Sequence, residues 1–114
     1  MLLGIDLIEV KRIGRLIRNK SFLERVFTPV EIEYCFLKKK SAQHFAVRFA
    51  AKEAVWKALG KKNVTLKDIS VRNLPDGAPR VTVKGKSVPG LSVSLTHTDD
   101  YAAAVAAIEK KCHK

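Results

Sequence analysis

The sequence predicts an α+β domain in which an N-terminal strand is followed by three helices and then by antiparallel hairpins, all within one small domain spanning residues 1–114. Three observations carry this. The chain opens on a short apolar run. Helical spacing of apolar residues then dominates as far as Gly60. Beyond Gly60 the apolar period shortens to two.

Leu2 to Ile8 is apolar and short, which suits a buried strand, and Asp6 interrupts it. Ile13, Leu16 and Ile17 follow at helical spacing, with Lys11, Arg12, Arg15 and Arg18 between them, so this helix has a basic outer face. "TPVE" at Thr28 to Glu31 is a helix start. Thr28 caps, Pro29 fits the first turn and Glu31 reaches back to close a capping box. That helix, which contains Cys35, is expected to run to Lys39. Ser41 is the expected cap of the third helix, and Gly60 its stop. Ile69–Val71 and Arg80–Val83 flank the turn sequence "PDGAP" and read as a hairpin. "LSVSLTH" sets Leu91, Val93 and Leu95 against Ser92, Ser94 and Thr96. "YAAAVAAI" returns after Asp99-Asp100 as the second arm of another hairpin.

Hydrophobic residues make up 46% of the chain, which excludes a disordered class. Lys and Arg total 22 against 11 Asp and Glu, a formal charge of +11. The expected partner or ligand is therefore anionic. Cys35 and Cys112 lack paired spacing, which argues against a disulfide framework or a zinc site and suits a reducing cytosol. The opening "MLLGIDLIEV" has no basic leader and carries Asp6 and Glu9, so it does not read as a signal peptide. No apolar run approaches a membrane span, and a cytoplasmic protein without a membrane contact is expected.

The third helix contains "RFAAKEAVWKALG", Arg48 to Gly60. On a helical wheel Phe45, Phe49, Lys52 and Trp56 share one stripe. Glu53 and Lys57 lie together on an adjacent face, beside Ala46 and Ala50. Taken alone, Glu53 and Lys57 are an i,i+4 pair on a solvated face, contributing a few tenths of a kcal/mol. Two features weigh against that simple reading. The face is alanine-rich rather than polar, and Asp6 places a second carboxylate in an apolar strand. A strand carboxylate meeting a helix carboxylate makes a hard-oxygen site suited to Mg²⁺, with positions left for water or phosphate oxygens. His97, at a strand end, is ordinarily structural. At the sheet rim it is also placed to join Lys57 in holding phosphate oxygens.

Five segments together resemble the holo-acyl-carrier-protein synthases, the small 4′-phosphopantetheinyl transferases of fatty-acid synthesis. They are "GIDLIEVKRI" from Gly4, "FLERVFTPVE" from Phe22, "RFAAKEAVWKALG" from Arg48, "DISV" from Asp68 and "VSLTHTDDYAAAVAAIE" from Val93. The resemblance implies transfer of phosphopantetheine from coenzyme A to a serine of an apo acyl carrier protein, with release of 3′,5′-adenosine bisphosphate. It implies that Asp6 and Glu53 bind Mg²⁺ and that Lys57 sits at the pyrophosphate. Arg48, His97 and Thr98 would line the coenzyme site, and a homotrimer would place that site between subunits. Two stretches depart from the pattern. The loop after Gly60, "KKNVTLK", is short and glycine-free, so Lys61 and Lys62 would supply charge in place of backbone donors. A second glycine before Asp6 is also missing.

Transfer from a pyrophosphate needs charge neutralisation and alignment more than covalent help. Glu53 and Lys57 are the catalytic candidates, Glu53 or a water at the metal taking the serine proton. Arg12 and Arg15 on the basic helix are the expected docking residues for an acidic carrier protein. The competing class is a basic nucleic-acid-binding module without catalysis. Its weakness is that aromatics are only 7% of the chain, with no interleaved stacking platform, so no nucleic-acid partner is expected.

Overall fold

The computed structural model describes residues 1–60, 63–73 and 77–110. The expectations placed on Lys61, Lys62, the Pro75–Asp76 part of the first turn and Cys112 lie outside the described residues.

Strand β1 (Leu2–Glu9) leads directly into α1 (Val10–Leu16), α2 (Lys20–Val26), α3 (Pro29–Phe36) and the long α4 (Ser41–Ala58). A single 3₁₀ turn, Leu66–Asp68, precedes β2 (Ile69–Asn73), β3 (Pro79–Val83), β4 (Lys86–Ser87), β5 (Leu91–His97) and β6 (Tyr101–Ile108). The strands form two antiparallel sheets, ordered β1-β6-β5 and β2-β3-β4. Both expected hairpins are present, with Val71 opposite Val81 and Leu95 opposite Ala104.

The helix count corrects the sequence reading, since the described residues hold four helices rather than three. The extra one, α2, is started by Asn19, whose Oδ1 accepts from the Phe22 N–H at 3.2 Å. It is fastened by Phe22, Leu23 and Val26 against the core. Two smaller corrections concern the next junction. The third expected helix is capped at Lys40 and has Ser41 as its first residue, without a side-chain cap. The preceding helix stops at Phe36, short of Lys39. The capping box of α3 is formed as expected. Thr28 Oγ1 accepts from Glu31 N–H at 3.2 Å, and Glu31 Oε1 accepts from Thr28 N–H at 2.8 Å.

Helix α4 lies across the first sheet because both surfaces are nearly flat. Ala50, Ala51, Ala54 and Ala58 are buried on the helix, and Ala102, Ala104 and Ala106 on β6. Gly4 is where the two touch: a Cβ there would sit 1.8 Å from the Ala54 carbonyl oxygen, so only glycine fits. The other stripe of α4 packs on α2 and α3. Phe45 meets Phe27 and Phe36 edge-on, with centroids at 5.0 and 4.9 Å, and Phe49 meets Phe22. Trp56 Nε1 donates to the Val64 carbonyl at 2.9 Å. Gly60, at φ 77, closes the helix end as expected. Among the described residues no helix is long and apolar enough to cross a membrane.

Candidate active site

Alternation on β1 turns Gly4, Asp6 and Ile8 toward α4 and leaves Leu3, Ile5 and Leu7 outside. Asp6 is therefore carried to the helix by the strand's own period. The contact at Gly4 brings the last turn of α4 over it. Lys57 Nζ donates to the Ile5 carbonyl at 3.0 Å and lies 3.5 Å from Asp6 Oδ1. Asp6 Oδ2 is buried and, among the described residues, has no hydrogen-bond partner. Burial pushes the Asp6 carboxyl above the usual carboxylate range, against the opposing pull of the Lys57 ammonium, then of the Leu7 backbone N–H and last of the Arg12 guanidinium.

Glu53 is one helical turn before Lys57 on the same flank of α4 and is half-buried. Among the described residues no three His, Cys, Asp or Glu side chains gather into a metal-binding group. A cation here would be held by two protein carboxylates and complete its shell with other oxygens. The donor set fits a hard divalent ion, and the unpartnered Oδ2 is an oxygen that such an ion would satisfy.

Arg48 and His97 form a separate group. They share a cavity of about 360 Å³ between α4, β5 and the β2–β3 hairpin, together with Gln43, His44, Asn73 and Pro79. Arg48 is only 4% exposed. Its guanidinium donates to the His44 carbonyl at 3.2 Å and to Asn73 Oδ1 at 2.9 Å, and it stacks 4.4 Å from the Tyr34 ring centroid. His97 is exposed. Burial, with the charges of Arg48, Lys38 and His97, holds His44 below the usual histidine value. Asp6, Glu53 and Lys57 are not among the cavity's lining residues.

Thr98 shapes the β5–β6 turn. Its Oγ1 accepts from Asp100 N–H at 3.2 Å and from Tyr101 N–H at 3.0 Å. Asp99 ties that turn to the start of α4 through Gln43 at 3.0 Å and Lys40 at 3.4 Å. Arg12 and Arg15 stand exposed on α1, whose Val10 and Ile13 are buried.

One pair escaped the sequence reading. Lys52, fully buried on the aromatic stripe, meets Glu31 at 2.7 Å and donates to the Leu66 and Ile69 carbonyls. Glu31 Oε2 also accepts from Val71 N–H at 2.8 Å, so one carboxylate joins α3, α4 and β2. The signal available was a lysine flanked by phenylalanine and tryptophan on an apolar stripe. Asn73 and His44 were missed as well, having no motif of their own.

Residues 2–106 match the family model described as the 4′-phosphopantetheinyl transferase superfamily. The curated "Holo-[acyl-carrier-protein] synthase" of Ruminiclostridium cellulolyticum is 46% identical, over 95% of this chain and 91% of its own. Among solved structures, a holo-(acyl-carrier-protein) synthase from Bacillus anthracis in complex with CoA (3′,5′-ADP) is 33% identical. It covers 92% of each chain, with a TM-score of 0.79. Helicobacter pylori holo-[acyl-carrier-protein] synthase in complex with coenzyme A is 31% identical, covering 95% of this chain and 100% of its own, with a TM-score of 0.80. The chain belongs to the 4′-phosphopantetheinyl transferase superfamily and, within it, to the holo-[acyl-carrier-protein] synthase family; it is an enzyme of the transferase class.

Proposed function

We propose that this chain transfers 4′-phosphopantetheine from coenzyme A to a serine of an apo acyl carrier protein, releasing 3′,5′-adenosine bisphosphate, and that it serves fatty-acid biosynthesis in the cytoplasm. Asp6 and Glu53 would hold Mg²⁺. The observation that carries this reading is Asp6 itself. One of its oxygens faces Lys57 and the other is buried with no partner among the described residues. A carboxylate kept only to pair with Lys57 would not leave that oxygen orphaned, at a cost of about 1–3 kcal/mol. The names of the relatives and the coenzyme complexes of the solved neighbours support the same substrates.

Mg²⁺, when bound, supplies positive charge at the diphosphate oxygens and at the leaving bisphosphate. Lys57, anchored on the Ile5 carbonyl, presents its ammonium beside them. Glu53 takes the proton of the incoming serine, directly or through water. Arg48, fixed by His44, Asn73 and Tyr34, forms the wall of the coenzyme cavity without losing entropy on binding, and His97 meets the ligand from the rim. Arg12 and Arg15 receive the acidic carrier protein; the charge-reversed Arg15→Glu raises KM for carrier while KM for coenzyme A stays put.

The Asp6–Lys57 group and the Arg48–His97 cavity lie apart within one chain, and that supports a site assembled between copies. The outer face of the first sheet supports it too. Leu3, Ile5 and Leu7 are 64%, 69% and 66% exposed, and Val105, paired with Ile5, is 40% exposed. A contiguous apolar face of this kind marks an interface. We assign it to a homotrimer, and sedimentation of Ile5→Glu should report a single chain where the native protein reports three. A nucleic-acid-binding module without catalysis is not favoured, since the family is one of enzymes.

The experiment is direct. Apo carrier protein, coenzyme A and Mg²⁺ are mixed with the chain, and the carrier is weighed by mass spectrometry. A phosphopantetheine adduct on serine is expected. An unmodified carrier, beside an active relative handled identically, overturns the reading.

A further inference from the structure

We propose that the outward face of the second sheet is an anion site of its own, built for a small ligand bearing a phosphate or diphosphate group. It is distinct from the coenzyme cavity and does not rest on the transferase reading. Ile69, Val71 and Val81 are buried, so the alternate residues Ser70, Arg72, Arg80 and Thr82 form the outer face. The antiparallel register makes Ser70 the direct partner of Thr82, and Arg72 the direct partner of Arg80.

Two guanidinium groups directly opposite each other on one face repel. Among the described residues neither Arg72 nor Arg80 makes an ion pair or a hydrogen bond that would relieve this. The pair borders a concavity of about 710 Å³, which Lys67 and Lys84 also line and into which the Ser70 and Thr82 residues contribute the floor. One carboxylate, Asp68, lies there. Its Oδ2 is occupied by the Thr65 N–H at 2.9 Å. Among the described residues, four cations thus face one engaged carboxylate.

Opposed arginine forks and a pair of hydroxyls suit the several oxygens of a phosphate group, and the volume is that of a small-molecule site. Among the described residues no aromatic side chain lines the concavity, so a nucleic-acid strand would lack a stacking surface there. The hairpin separates this face from the coenzyme cavity. Asn73 borders both, whereas Arg48 and His97 border only the latter. A ligand on the outer face therefore touches the same hairpin from behind.

The test uses inorganic pyrophosphate as the probe, with amide spectra of the native protein and of Arg72→Gln/Arg80→Gln. In the native protein pyrophosphate shifts the amides of 70–72 and 80–82. In the double variant that response weakens about tenfold or more, the scale of lost charge-assisted hydrogen bonds. Coenzyme A affinity is unchanged in both. Without added anion, Arg80→Gln melts no lower than the native protein, because a repulsion has been removed. A pyrophosphate response confined to the neighbourhoods of Lys57 and Arg48 overturns the proposal, as does a double variant that binds like the native protein. A single-stranded oligonucleotide that binds this face where pyrophosphate does not would replace the small ligand by a nucleic-acid strand, and so also overturn it.

Discussion

Lys57 Nζ on the last turn of α4 and Asp6 Oδ1 on β1 lie 3.5 Å apart, with the same ammonium anchored on the Ile5 carbonyl at 3.0 Å. The lysine side chain is 38% exposed, so the pair is only partly screened from water and contributes about 0–1 kcal/mol to folding. Lys57→Ala should therefore melt within a few degrees of the native protein. Its transfer rate should fall by about 10²–10³-fold, the scale of one lost charge stabiliser. Steady-state kinetics beside a melting curve checks this. Stability lost in step with activity would make Lys57 a structural tie instead.

Gly4 should be intolerant of substitution for a positional reason. Its Cβ would meet the Ala54 carbonyl oxygen at 1.8 Å and the Ala58 backbone nitrogen at 2.9 Å, both of them helix backbone that cannot swing away. Gly4→Ala should cost about 1–3 kcal/mol or more as overpacking, measured by urea unfolding. The surviving folded protein should transfer slowly, because the displaced helix carries Lys57 away from Asp6.

The buried Glu31–Lys52 pair gives a prediction about folding alone. Lys52→Met leaves the Glu31 carboxylate buried beside an apolar group, and a broken buried pair of this kind costs about 3–5 kcal/mol. Lys52→Met with Glu31→Gln should recover part of that loss, since the neutral amide would keep an oxygen for Thr28 N–H or Val71 N–H. Urea unfolding of both variants decides. Equal stability of the single and double variants would mean that the ion pair is not what holds α3, α4 and β2 together.

His44 sets a pH dependence. Burial first, then Arg48, Lys38 and His97, hold its folded value below the ordinary value of about 6.5. Between those two values the unfolded chain binds more protons than the folded one. Stability from His44 is thus fully present above about 6.5 and is lost as pH falls through the folded value. His44→Gln should flatten that part of the stability curve. With coenzyme A in this cavity as proposed, saturating coenzyme A should do the same, because its phosphate charge would raise the histidine again. An unchanged slope in His44→Gln would assign the acid sensitivity to another group.

Local signals in the sequence were strong enough to place much of this. Thr28, Pro29 and Glu31 marked the start of α3, and the serine alternation marked β5. Gly60 marked the end of α4. Helix α2 was passed over because its cap, Asn19, belongs to no wider motif. What the sequence could not convey was long-range pairing. Nothing local to Leu2–Glu9 says that β6 is its neighbour, with Asp6 opposite Ala104. Nothing local to Glu31 says that it accepts from Val71. The candidate site shows the same division. Asp6, Glu53 and Lys57 stood out as charges in apolar surroundings, whereas Asn73 and His44 acquire a role only once the hairpin folds against α4.

The pairing of Asp6 with Glu53 around a divalent ion is the central claim, and calorimetric titration of coenzyme A with and without Mg²⁺ tests it most directly. The native protein should bind coenzyme A more tightly when Mg²⁺ is present, and Asp6→Asn and Glu53→Gln, both folded, should bind it equally with or without the ion. Retention of the full Mg²⁺ effect in either variant would contradict the account.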